Sequence, residues 1–370
     1  MASQFTVAFR ADASLLIGNG HIARCLALAR EMAARGARIV FITRDHAGHL
    51  GSVIDAQGYE TILLSNGESG ASPCLPEAAA DLGYAAFLAC SWERDAEQSQ
   101  AVLAELQPDW LVVDHYALDA RWEATVRPFC KCVMVIDDLA NRPHVCDLLL
   151  DQNLGRKDAD YASLVAPSCT LLTGPMYALL RPEFAALRSH SLKRRENWQL
   201  ENIIVTMGGV DQPNATAKVL EGLRLAELPR LARITVVMGR HAPWLEDIRS
   251  IAASMPFETR VLIDIHDMAE HMANSDLAIG AAGGTSWERC CLGLPALIAI
   301  LADNQVPGAT ALQERGAALL LGEVGSITAN LPAAIRTMSQ KENLSRMSHA
   351  ARDVTNGCGV NEILKNLGSE

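Results

Sequence analysis

Several protein classes are excluded by what this sequence lacks. Its ten cysteines include no C-x-x-C pair. Cys130/Cys132 and Cys290/Cys291 stand too close for a zinc knuckle, and Cys25, Cys90, Cys169 and Cys358 are scattered. Neither a structural metal site nor a disulfide scaffold is therefore expected, and no metal or other cofactor is assigned. No apolar run reaches the length of a membrane span, and the opening MASQFTVAFRAD lacks the apolar core of a secretory signal. Basic residues are outnumbered, 32 Lys and Arg against 43 Asp and Glu, giving a net charge of −11. That balance argues against nucleic acid and anionic membrane surfaces as partners. The phosphate-loop pattern G-x-x-x-x-G-K-[ST] is absent, which excludes a Walker-type ATPase. These absences predict a reduced, soluble, cytoplasmic protein with no obligate protein partner.

What is present is apolar and periodic. The 370 residues are 49% hydrophobic and 20% charged, enough to build two cores. Short β-branched runs alternate with helical patterns. Strands are predicted at 5–10, 38–43, 110–114, 132–137 and 147–150, with a helix over 21–35. A polar, basic break at 189–197 (SHSLKRREN) is the expected linker. It separates an N-terminal domain, 1–188, from a C-terminal domain, 198–370. A second series of strands is predicted at 202–207, 234–238, 261–265, 277–280 and 296–300. Such alternation implies the α/β class: two doubly wound, Rossmann-like domains facing a central cleft, with the last helix free to return to the N-terminal domain.

Three glycine turns fall at predicted C-terminal strand ends. They are Gly18-Asn19-Gly20-His21, Gly208-Gly209-Val210-Asp211, and Gly283-Gly284-Thr285-Ser286. Glycine lets a ligand approach the backbone, and a helix that follows offers unpaired N–H groups and partial positive charge. One such turn is a tight turn and no more; three at strand ends point to a phosphate-bearing ligand. The first lacks the third glycine of the dinucleotide fingerprint, which disfavours a nicotinamide dehydrogenase. Glu288, one turn into the helix after Gly284, is placed to accept two hydrogen bonds from a ribose diol.

These residues carry a family signature. GGTSWE followed by Pro295 resembles the nucleotide motif of UDP-sugar enzymes with the two-domain GT-B fold, MurG among them. FRADASLLIGNGHIARCLALA, VVDHYALD, VIDDLANRPHVCDLLLDQN, YALLRPEF and MGGVD resemble the PseG family, UDP-2,4-diacetamido-2,4,6-trideoxy-β-L-altropyranose hydrolases of pseudaminic acid biosynthesis. The similarity runs from about residue 5 to about residue 316. It implies inverting, metal-independent attack of water at C1, with a UDP-sugar and water as the only partners. It places the catalytic histidine on His21, the tyrosine near the sugar on Tyr116, and an asparagine on Asn304. It also implies that the segment Ile265, His266 and Met268 reads uracil, mainly through its backbone, beside Gly208, Gly209, Gly283, Gly284, Thr285, Ser286 and Glu288. The alternatives are a GT-B glycosyltransferase or a non-catalytic UDP-sugar-binding protein.

The chemistry is consistent with those positions. A neutral imidazole is the usual base for deprotonating water near pH 7, and a helix start disfavours the imidazolium. Gly18, Asn19 and Gly20 would let the sugar diphosphate approach. Arg10 and Asp12, at the end of the first strand, are candidates for orienting His21 or a sugar hydroxyl, or else form an ordinary strand-end ion pair. Arg24, one turn beyond His21, is a candidate phosphate ligand. Asp114 and Tyr116 are expected near the sugar, but Asp114 and His115 cannot both aim at one site while the strand continues. Gln305 beside Asn304 is expected to donate to phosphate or cap the following helix. Asp137-Asp138 reads as a family pattern at a strand end, not as a metal or glycosidase pair.

Overall fold

The computed structural model describes residues 4–66 and 83–368; Cys74 lies outside them. The chain forms two compact units. The first holds the described residues up to Gln152, then Arg156–Leu179 and the tail from Val360; the second holds Asn153–Gly155 and Leu180–Gly359.

The first unit is built on strands β1 (Thr6–Ala11), β2 (Arg38–Arg44), β3 (Glu60–Leu64), β4 (Trp110–Asp114), β5 (Cys132–Ile136), β6 (Leu148–Asp151) and β7 (Thr170–Thr173). All pair in parallel, in the order β3-β2-β1-β4-β5-β6-β7. Central strands such as β1 and β4 are buried along their whole length, as expected for apolar runs covered on both faces. One face carries Val7, Phe9, Phe41 and Val112 under the helix Gly20–Ala34. The other carries Ala8, Ile42, Leu111 and Val113 under the helices Trp92–Leu106 and Ala120–Val126. Val360, Ile363, Leu364 and Leu367 of the tail complete the first of these cores. Trp110 Nε1 donates to the carbonyl of Leu367 at 3.1 Å.

The second unit repeats the plan with β8 (Asn202–Thr206), β9 (Arg233–Met238), β10 (Glu258–Ile263), β11 (Leu277–Ala281), β12 (Ala296–Ile300) and β13 (Leu319–Glu323). Their order is β10-β9-β8-β11-β12-β13, again all parallel. In both sheets the order reverses beside the first strand of the unit, between β1 and β4 and between β8 and β11. In doubly wound sheets that reversal opens a crevice at the C-terminal strand ends where ligands bind.

The expected linker at 189–197 is corrected. Residues up to Arg194 belong to the helix Pro182–Arg194, and the crossing to the second unit is at Leu179–Leu180. Pro182 sits in the helix's first turn, where its missing N–H costs nothing. SHSLKRREN is polar because it joins the partly exposed end of this helix to an exposed turn, while Ser191 and Arg195 of the same segment are buried. Strands β3, β7 and β13 were not predicted; all three lie at or near sheet edges and are only partly buried.

Candidate functional site

In the first unit the crevice is bounded by the segment after β1 and the segment after β4. Ser14 Oγ accepts from the amides of Leu16 and Ile17, and Gly18 N donates to the Ser14 carbonyl. Gly18 takes a φ of +78°, which favours glycine, and the helix Gly20–Ala34 begins immediately afterwards. This places His21 in the first helical turn with 8% side-chain exposure. Its Nδ1 lies 2.5 Å from Asp114 Oδ1 at the end of β4. An ionised carboxylate there takes the protonated Nδ1 and leaves Nε2 as the basic nitrogen.

Asp114 is completely buried and serves two partners, His21 and Arg24. Arg24 donates to it through Nε and Nη2, each at 2.6 Å. Burial alone would raise the Asp114 carboxyl, but Arg24 and His21 outweigh it and hold it well below the usual range. Arg24 Nη1 also reaches both oxygens of Asp138, at 2.9 and 2.7 Å. Tyr116 donates its hydroxyl proton to Asp138 at 2.9 Å, and its ring meets the His21 ring edge-on at 4.6 Å. Five side chains thus close a circuit: His21, Asp114, Arg24, Asp138 and Tyr116. Tyr84 and Phe87 flank Tyr116, with centroids 4.9 and 6.5 Å away.

Two expectations are resolved here. Arg10 and Asp12 do not orient His21; both are completely buried in a separate ion network. Arg10 donates to both oxygens of Asp12 and both of Asp95, at 2.6–3.2 Å, and Arg44 joins Asp95 at 2.6 Å. Their side chains pack where the helix Trp92–Leu106 covers the sheet, so Asp95 rather than a ligand completes them. Orientation of His21 falls to Asp114. Arg24, expected near phosphate, spends its donors on Asp114 and Asp138. The alternation argument for Asp114 and His115 holds: His115 turns away, with Nε2 3.3 Å from Asp12. Asp137 and Asp138 also diverge. Asp137 takes Arg142 and Tyr161, while Asp138 takes Arg24 and Tyr116.

The second unit gathers its candidates along one C-terminal sheet edge. After β8, Gly208 has a φ of +94°, and Gly209 accepts from the Gly239 amide. Asp211 caps the helix Ala215–Leu225 through the amides of Ala215 and Thr216. After β11, a β-carbon on Gly283 or Gly284 would meet nothing within 4 Å. Neither crowding nor a left-handed backbone requires glycine at these two positions; what the residues keep is open space at the start of the helix Thr285–Cys291. Glu288 is half-buried on this helix and makes no hydrogen bond or ion pair through its carboxylate among the described residues. Burial pushes its carboxyl up, against the pull of Arg181 and Arg289. Ser286 is buried and its Oγ accepts from Arg289, so it shapes the turn from within. Ile265, His266 and Met268 follow β10; His266 is exposed, and its carbonyl accepts from Arg181 at 3.4 Å.

Asn304 and Gln305 lie in a short 3-10 turn, Asp303–Gln305, after β12. Gln305 Oε1 accepts from the Leu301 amide at 3.0 Å, fastening its own loop. Sequence reasoning missed Asp95, Arg44, Tyr84, Phe87 and the positioning role of Asp138. Only Asp138 carried a signal, since it directly follows a strand end beside Asp137.

Comparison with known proteins agrees with this fold. Residues 202–365 match the glycosyltransferase family 28 C-terminal domain. The UDP-2,4-diacetamido-2,4,6-trideoxy-β-L-altropyranose hydrolase of Campylobacter jejuni is 25% identical over 310 residues, 84% of this chain and 97% of that protein. An uncharacterized protein of Methanocaldococcus jannaschii is 25% identical over 305 residues, 81% of this chain; the chain spans 56% of that protein's length. The crystal structure of MurG from Acinetobacter baumannii superimposes with a TM-score of 0.71 at 16% identity, covering 99% of this chain and 100% of MurG. The fold is that of the GT-B enzymes.

Proposed function

We propose that this chain, a GT-B enzyme of UDP-sugars related to PseG and MurG, hydrolyses UDP-2,4-diacetamido-2,4,6-trideoxy-β-L-altropyranose to UDP and 2,4-diacetamido-2,4,6-trideoxy-L-altrose. The observation that carries the reading is the 2.5 Å contact between His21 Nδ1 and Asp114 at the β1/β4 crevice. In this reading His21 Nε2 takes a proton from water as the oxygen attacks C1 from the face opposite UDP. Asp114 stabilises the imidazolium that forms. The C1–O bond breaks with inversion, and its electron pair leaves on the β-phosphate of UDP. Tyr116 walls the ring of His21. In the second domain Glu288 receives the ribose diol, and the turns at Gly208-Gly209 and Gly283-Gly284 receive the diphosphate.

The test is direct. The purified protein, given the UDP-sugar and no acceptor, should release UDP, and EDTA should leave turnover unchanged. The family 28 match favours one other reading, a glycosyltransferase. UDP release that begins only when an acceptor is added would establish it and sink the hydrolase.

A further inference from the structure

Arg289 has no part in the reading above, yet it occupies an unusual position. It is 1% exposed, and its Nη2 donates to the Ala281 carbonyl at 2.6 Å and to Ser286 Oγ at 2.9 Å. Its Nε and Nη1 meet no hydrogen-bond acceptor among the described residues, and no carboxylate pairs with it there. The guanidinium lies at the β8/β11 seam. A β-carbon on Gly280 would fall 2.2 Å from Nη1 and 2.7 Å from the carbonyl of Thr206, its partner across the ladder. Gly280 is therefore the vacancy that admits the cation, beneath the two glycine turns at the point where strand order reverses.

A buried cation with no carboxylate in contact is costly: Glu288 acts on Arg289 only through space, and its pull does not outweigh the burial. Although Arg289 belongs to the last turn of the helix Thr285–Cys291, its tip reaches back beside the N-terminal end, where the helix dipole is also positive. Arg195 makes the contrast. It is 3% exposed and also lacks a carboxylate partner, but its nitrogens reach the carbonyls of Ser191, Met272, Ala273 and Ser275. Several of those carbonyls close the helix Met268–Ala273, so Arg195 is accounted for as a helix cap. Arg289 has no such account within the protein.

We propose that Arg289 is the buried counter-charge for the diphosphate of the bound nucleotide, acting from beneath the glycine turns without touching the ligand. The proposal rests on the UDP-sugar reading and adds to it the residue that offsets the protein's negative charge at this site. Burial lowers the guanidinium to about 10, which leaves it cationic at neutral pH.

UDP and uridine binding should be compared by calorimetry and ligand-observed NMR in the wild type, R289Q and R289K. R289Q should weaken UDP by about tenfold or more while changing uridine by less than about twofold, and R289K should recover most of the loss. Equal UDP affinity in R289Q and the wild type would overturn the proposal. So would a parallel loss of UDP and uridine, which would mark Arg289 as a prop for the turn. If wild-type protein bound uridine and UDP equally weakly, the UDP-sugar reading would fall first and this proposal with it. Should R289Q not fold, the side-chain nitrogen spectrum of the wild type decides the matter. A buried guanidinium resonance should shift with UDP and not with uridine; one unmoved by UDP overturns the assignment.

Discussion

Arg10 and Arg289 are both almost wholly buried arginines in parallel-sheet domains, and their surroundings differ in kind. Arg10 contacts two carboxylates, Asp12 and Asp95, and Arg44 and Arg24 are likewise met by Asp95, Asp114 or Asp138. Arg289 and Arg195 meet only neutral oxygens. The first domain pairs its buried cations locally, which makes a stiff frame around one imidazole and presents little net field. The second leaves positive charge unpaired beside open glycine turns. One arrangement suits the handling of a proton; the other suits the holding of an anion.

The comparison can be broken at either end. The largest effect is expected from His21→Asn, which should lower UDP release about 10²–10⁴-fold while UDP affinity stays near wild type. Turnover and binding falling together would deny the division of labour. Asp114→Asn should cost about 10²-fold in kcat, because the ring loses both its tautomer and its counter-charge. A variant whose kcat survives would remove Asp114 from the mechanism.

Acid should reach the paired network only below the ordinary carboxylate range. Burial would raise Asp95, but Arg10 and Arg44 bring it down from 3.8 to about 2. A carboxyl lowered in the folded state stabilises above its unfolded value and loses that contribution as pH falls through the folded one. Asp95 should therefore account for ~2 kcal/mol of stability that disappears between about pH 4 and pH 2, read by denaturant unfolding of wild type against Asp95→Asn. An identical acid dependence in the variant would contradict the network's role.

The smallest effect concerns Glu288. Glu288→Gln should weaken uridine binding about tenfold at neutral pH. Because the Glu288 carboxyl is raised, uridine affinity in the wild type should begin to fall on acidification above the ordinary 4.5. The variant should lack that acid limb. Uridine is the better probe here because it keeps the ribose diol and carries no titrating phosphate.

Much of this was legible in the residues. The buried strands β1, β4, β8 and β11 announce themselves as apolar runs, and the turns at Gly18, Gly208 and Gly283 stand where the sheets open. His21 and Glu288 follow from those turns. What stayed hidden depends on long-range contact. Asp95 lies in the polar stretch WERDAEQSQ, 85 residues from Arg10, and nothing local says that its carboxylate is buried. Asp114 and His115 carry the alternation rule but not the identity of their partners. The polar segment 189–197 misled because half of a surface helix and a linker have the same composition. Arg289 reads as an ordinary helix cation until Gly280 is seen to make room for it.

The tail has a consequence for how the protein comes into being. Val360, Ile363, Leu364 and Leu367 fill the core against which β1 and the helix Gly20–Ala34 pack. On a translating ribosome the first domain emerges early, but it lacks part of its interior until these residues are made. The second domain carries its own core and can close before then. The half that begins first is therefore the half that finishes last.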